Sequence, residues 1–181
     1  MILIALGSNL PHPDLGPAPA VFDAAVEMLR NQGLHLVKRS NLYDNAAVGP
    51  GEQPDYCNAA IHMEGRLKPH EVLKLLLHIE KELGRERVQR WGPRIIDLDL
   101  IAVDAQIKPS KQAWLRLAAD VKADPKKSLI LPHPRAHQRD FVLQPLLDVA
   151  PGWEHPVLKK TVQRLAQDLN EGHELHKRIW T

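Results

Sequence analysis

The sequence predicts an α+β domain, with helices packed on an antiparallel sheet. Period-two alternation runs through Tyr56–Glu64 and returns in Ile95–Val103, as half-buried strands require. Two stretches, Ala20–Asn31 and Pro69–Leu83, carry apolar residues at helical spacing. Clusters of glycine and proline separate these segments. A length of 181 residues fits one domain, residues 1–181, with a sizeable core.

Ile2–Leu6 reads as a buried first strand, stopped by a tight turn at Gly7-Ser8-Asn9. Pro11, Pro13, Gly16, Pro17 and Pro19 make a surface loop that is neither helix nor central strand. Val21, Ala25, Met28 and Leu29 form the stripe of the first helix, and Gly33 ends it. Leu34–Tyr43 is a second strand with imperfect alternation. Asp44–Asp55 is a second loop. In Tyr56–Glu64, Cys57, Ala59, Ile61 and Met63 share one face, and Tyr56, Asn58, Ala60 and His62 the other. Pro69 suits the first turn of the second helix, whose stripe is Val72, Leu76, Ile79 and Leu83. The fourth strand closes a β-α-β-β-α-β order. That is the ferredoxin-like arrangement, in which both helices cover one face of the sheet. Beyond it lie an insertion with a short helix at 104–128, a short strand at Leu129-Ile130-Leu131, and extra C-terminal elements, including helices around Val142–Val149 and Val162–Leu169.

Composition excludes several classes. A net charge of +2 gives no whole-protein field for nucleic acid or an anionic membrane. The single cysteine, Cys57, rules out an intramolecular disulfide framework and a cysteine-rich zinc site, and predicts a reducing, cytoplasmic setting. The apolar N-terminus is short and has no basic residues ahead of it, so it reads as a strand rather than a signal peptide.

Chemistry concentrates in Gly84–Ile101. Arg85, Arg87, Arg90 and Arg94 crowd a loop around Trp91, and Asp97 and Asp99 follow on one face of a strand. Two such carboxylates suit a hard divalent cation, or a pair of them. Arginine forks beside a cation site point to a polyphosphate ligand. A salt-bridged edge strand beside a solvated basic loop would explain Asp-x-Asp alone, but the adjoining arginines favour the ligand. No Walker-type glycine loop is present, so side chains and cations must carry the electrostatics. Glu80 is either a helix-surface ion pair, for example with Arg87 or Lys81, or a ligand contact. His133, between two prolines, suits a phosphate-contacting or structural role better than zinc.

Five stretches together resemble the 6-hydroxymethyl-7,8-dihydropterin pyrophosphokinase family. They are Ile4-Ala5-Leu6-Gly7-Ser8-Asn9-Leu10; Gly49-Pro50 through Gln53-Pro54-Asp55-Tyr56-Cys57-Asn58-Ala59-Ala60; Ile79-Glu80 through Gly84-Arg85; Arg90-Trp91-Gly92-Pro93-Arg94 through Asp97-Leu98-Asp99; and Leu131-Pro132-His133-Pro134-Arg135 through Arg139-Asp140-Phe141-Val142-Leu143. The resemblance implies an ATP-dependent enzyme of folate biosynthesis. The hydroxymethyl oxygen of the reduced pterin would attack the β-phosphorus of ATP, and AMP would leave. It implies two Mg²⁺ ions held by Asp97 and Asp99. Catalysis would fall to Arg85, Arg94, Asp97 and Asp99. ATP would meet Leu77, Glu80, Arg85, Arg87, Trp91, Arg94, Leu100, His133 and Arg139. The pterin would meet Asn45, Ala46, Val48, Tyr56, Asn58, Trp91, Asp97 and Phe141. A monomer acting on small molecules, with no nucleic acid or membrane partner, is expected.

This chain departs from the family pattern in two places. Asn45-Ala46-Ala47 stands where Thr-Pro-Pro is frequent, which predicts a less preorganised second loop. The connector 104–128 is also longer than the family pattern leads one to expect. Two rival readings stand beside the resemblance: a phosphohydrolase or nuclease using Asp97 and Asp99, and a ferredoxin-like nucleic-acid-binding module. The second would want several aromatics on its central strands, where only Tyr56 and Tyr43 are available.

Overall fold

The computed structural model describes residues 1–47, 53–84, 93–120, 122, 124–169 and 175–180. In chain order these give β1 (Ile2–Ser8), α1 (Ala18–Asn31), β2 (His35–Arg39), β3 (Leu42–Asn45), β4 (Tyr56–Glu64), α2 (Pro69–Glu82) and β5 (Asp97–Val103). After them come α3 (Lys111–Ala119), α4 (Asp140–Val149), α5 (Val162–Asp168) and β6 (His176–Arg178). Every pairing in the sheet is antiparallel, in the order β5-β1-β4-β3-β6, with β2 also on β4. The expected β-α-β-β-α-β core is therefore present, its second strand being β2 and β3 together.

Leu34–Tyr43 is not one strand, and the chemistry of the break is local. The register slips between Leu36 and Lys38, and Val37 is left exposed. Three residues on, Ser40 N–H donates to Ala60 O at 2.9 Å, while Ser40 Oγ accepts from Ala60 N–H at 2.8 Å. The hydroxyl replaces a backbone acceptor, so β4 stays satisfied across the gap. Two other expectations are corrected. Gly7 lies inside β1 rather than in a turn, and Leu129–Leu131 forms only a single bridge, Leu131 with Lys108.

Apolar residues fill both sides of the sheet. Ile2, Ile4 and Leu6 of β1, Ala59, Ile61 and Met63 of β4, and Leu98 and Leu100 of β5 meet the stripes of α1 and α2. On the opposite face Leu3, Ala5, Ala60 and Ile101 meet Val142, Leu143 and Leu146 of α4, with Val162 and Leu165 of α5 behind. Burial on both sides explains the unbroken apolar run of β1. It also covers with α4 the face that a nucleic-acid-binding sheet would expose.

Helix ends are set by their sequence. Pro69 opens α2, and the Glu71 carboxylate accepts the Lys68 N–H at 2.6 Å. Gly84 closes it at φ +75°, a conformation that glycine adopts without strain. The Ser110 hydroxyl accepts Ala113 N–H to start α3. The insertion is anchored by Trp114, which is buried with Ile130 and Val157 and donates through Nε1 to Pro132 O at 2.6 Å. The tail is not a loose end. β6 extends the sheet beyond β3, and Trp180 reaches the main core edge-on to Phe22.

Candidate active site

One row of residues crosses four strands: Asp97 of β5, Gly7 of β1, Asn58 of β4 and Tyr43 of β3. Asp97 and Asp99 lie on the face opposite the α1/α2 core, because Leu98 and Leu100 take the other face. Beneath Asp99, the neighbouring positions of the sheet are the small residues Ala5 and Ala60. Gly7 leaves an opening in the row. A Cβ added there would stand 3.6 Å from Asn58 Oδ1, 3.9 Å from Asp97 Cβ and 4.0 Å from Tyr56 Cδ1. Glycine inside a strand is a signal of close approach, and it was available in the sequence.

Cations gather on the two aspartates. The Arg94 guanidinium donates to Asp97 Oδ2 at 2.6 Å. Lys126 places its ammonium between the acids: it donates to Asp97 Oδ1 and lies 3.3 Å from Asp99 Oδ1. The same ammonium meets Glu80 Oε1 at 2.5 Å, and Glu80 Oε1 also accepts Leu98 N–H at 2.7 Å. Glu80 is 2% exposed, so it is not the helix-surface ion pair considered from the sequence. It caps a backbone donor on β5, which is the end strand of the sheet.

Burial pushes the Asp99 carboxyl upward, but the nearby Lys126, with His133 and Arg139, brings it below the ordinary carboxylate value against the opposing charge of Asp97. His133 is buried, and burial pushes its imidazole down to about 4 despite the attraction of Asp99. It is neutral near pH 7. Its Nδ1 accepts Arg135 N–H at 3.2 Å, so Nε2 carries the ring proton and faces Asp99 Oδ2 at 4.0 Å. Arg139 is near both aspartates and Arg94, and stacks over Phe141 at 5.7 Å.

Beyond the Gly7 opening, Asn58 is held by its own amide. Nδ2 donates to Asn45 Oδ1 at 2.6 Å and to Tyr43 O at 3.1 Å, which leaves Oδ1 on the Gly7 side. Asn45 is buried, and its Nδ2 donates to Ala46 O. Tyr56 and Phe141 are half-buried, and Ala46 is exposed. Leu77 is half-buried on α2. Leu100 packs into the α1/α2 core, so only its backbone is left for a ligand on the carboxylate face. Val48, Arg85, Arg87 and Trp91 lie outside the described residues.

Two residues were missed from sequence. Lys126 lies in a polar stretch that looked like loop, and its partners are 27 to 46 residues upstream. In the sequence Asn9 reads as part of a turn, yet its side chain ties three segments. Its Oδ1 accepts Arg94 N–H at 2.7 Å, and its Nδ2 donates to Pro54 O at 3.2 Å. Arg94 O in turn accepts Asn9 N–H and Leu10 N–H. The base of the arginine loop is thereby fixed to the end of β1.

The donor set fits a hard cation. Two carboxylates already hold a positive charge, the Lys126 ammonium, between them. Among the described residues no cluster of three or more metal-ligand side chains occurs.

Residues 3–151 match the model of the 7,8-dihydro-6-hydroxymethylpterin-pyrophosphokinase family. The chain is 34% identical over 170 residues to a 2-amino-4-hydroxy-6-hydroxymethyldihydropteridine pyrophosphokinase of Synechocystis, covering 93% of this chain and 75% of that one. It is 37% identical over 147 residues to the Haemophilus influenzae protein of the same name, covering 81% and 79%. The fold resembles a solved Plasmodium falciparum HPPK-DHPS chain with a TM-score of 0.59 at 14% identity, over 92% of this chain and 44% of that longer one.

Proposed function

The chain belongs to the 7,8-dihydro-6-hydroxymethylpterin-pyrophosphokinase family, and from that membership we propose that Asp97, Asp99 and the cations around them carry its reaction. The enzyme transfers the pyrophosphoryl group of ATP to the hydroxymethyl oxygen of 6-hydroxymethyl-7,8-dihydropterin. The products are the pterin diphosphate and AMP, a step of folate biosynthesis.

The observation that supports this site is the row Asp97–Gly7–Asn58. It sets a carboxylate beside an opening with an amide oxygen on its far side. An acceptor ring bearing N–H donors suits that opening, since Asn58 Oδ1 can take a hydrogen bond from its edge. Tyr56 and Phe141 would offer their faces to the ring. Asp97 and Asp99 would hold Mg²⁺, which when bound supplies positive charge to neutralise the phosphate oxygens. Arg94 and Arg139 add fixed positive charge for the polyphosphate, and His133 offers its Nε2–H as a neutral donor. Transfer of this kind depends on alignment and charge more than on covalent help. We extend the proposal to Arg85, Arg87 and Trp91 as partners of ATP, and to Asn45, Ala46 and Val48 as neighbours of the pterin. A cytoplasmic monomer completes it.

The test is an incubation with ATP, Mg²⁺ and the reduced hydroxymethylpterin, with nucleotides resolved. AMP is expected only when pterin is present. ADP, or AMP without pterin, would overturn the reading. Asp97→Ala and Asp99→Ala should each lower turnover by about 10²-fold or more while circular dichroism is kept. A near-normal rate in either removes that aspartate from the site.

A further inference from the structure

We propose that Lys126 is a tethered cation that fills the two-aspartate centre before substrate binds and must be displaced for a divalent ion to enter. The inference rests on the reading of Asp97 and Asp99 as the metal-holding pair.

The contact is built in. The Lys126 side chain is 10% exposed, and its ammonium meets Glu80, Asp97 and Asp99 together. The turn that presents it is formed by its own sequence. Asp124 Oδ1 accepts Lys126 N–H at 2.9 Å, and Asp124 O accepts the N–H groups of Lys127 and Ser128. That turn is anchored on both sides, by Trp114 in α3 and by Ile130 and Leu131. Lys126 thus reaches the site from a docked segment.

Two cations do not share this place. A magnesium ion sits about 2 Å from its carboxylate oxygens. Lys126 Nζ already makes a close hydrogen bond to Asp97 Oδ1 and lies 3.3 Å from Asp99 Oδ1. An ion bridging those oxygens would lie against the ammonium, with like charges in contact and partly shielded from water. The ammonium must therefore leave as the ion enters. Until then it neutralises carboxylates that would otherwise repel one another. Insertion 104–128 would in this way weaken metal binding by the free enzyme and leave the centre occupied between turnovers.

The experiment compares wild type with Lys126→Met and Lys126→Gln, two variants that lose the charge in different ways. Mn²⁺ binding without nucleotide is followed by water-proton relaxation, and thermal unfolding is followed with and without Mg²⁺. Both variants should bind Mn²⁺ at least about tenfold more tightly than wild type. Mg²⁺ should raise their melting temperature by several degrees more than that of wild type. Equal Mn²⁺ affinity in all three proteins, or weaker binding in the variants, overturns the role of Lys126 while leaving the aspartate pair standing. Absence of Mn²⁺ binding in all three, even with a non-hydrolysable ATP analogue, overturns the metal pair and this inference with it.

Discussion

Glu80 shows how one residue holds two parts of the molecule. Its carboxylate is buried, and Oε1 accepts both Leu98 N–H of β5 and the ammonium of Lys126. Removing it leaves a backbone donor and a lysine without that partner in a poorly hydrated place. Glu80→Ala should cost about 3–5 kcal/mol, the range for breaking a buried pair. Glu80→Gln keeps an acceptor for Leu98 N–H and should cost less. Urea unfolding at pH 7 measures both, and a Glu80→Ala midpoint equal to wild type would show that β5 does not depend on it. Neither contact is legible in the sequence. The stripe of α2 gave the helix's buried side, but Glu80 follows Ile79 at its margin, and its partner Lys126 lies 46 residues away. Asp97 and Asp99 were readable, because alternation in a strand assigns faces without knowledge of any partner.

At the scale of elements, the C-terminal segment changes most. Its sequence has no clear period, so pattern alone predicts no element there. In the fold it becomes β6, an added strand beside β3 and next to the buried Asn45. Arg178 holds Asp44 by two hydrogen bonds, and Trp180 donates through Nε1 to Asp23 Oδ1 at 3.1 Å. Burial of the indole dominates this contact, since the Arg178–Asp44 pair is half exposed. Trp180→Ala should cost about 3–5 kcal/mol. Arg178→Ala should cost about 1 kcal/mol or less. Denaturant midpoints decide the order, and a larger loss for Arg178→Ala would reverse the account.

For the whole molecule, the sheet is covered on both faces, and the second cover brings buried imidazoles with it. His155 is buried against Trp114 and Trp153. Its Nδ1 accepts Val157 N–H and Leu158 N–H, and burial pushes it down to about 4 from an ordinary 6.5. His133 is pushed down to about 4 as well. An unfolded chain takes up these protons near pH 6.5, while the folded chain resists them until about pH 4. Their stability is therefore fully present above pH 6.5 and is lost as pH falls through 4. Unfolding midpoints should be level near pH 7–8 and decline across that window. His155→Asn, which keeps a short acceptor for the turn, should flatten the decline; an unchanged slope would exclude His155 as a source.

The sequence by itself determined the β-α-β-β-α-β order of the core, the two helical stripes, the faces of β4 and β5, and the family motifs with their aspartates. Each of these depends on near neighbours: a period of two or 3.6, a cap, a glycine after a helix. Only the tertiary structure decided that Lys126 lies between those aspartates, that Gly7 opens a slot between Asp97 and Asn58, and that Trp180 closes the core. Those facts pair residues tens to more than a hundred positions apart. No local pattern encodes such pairs, because they are selected by packing and charge complementarity once the sheet has formed.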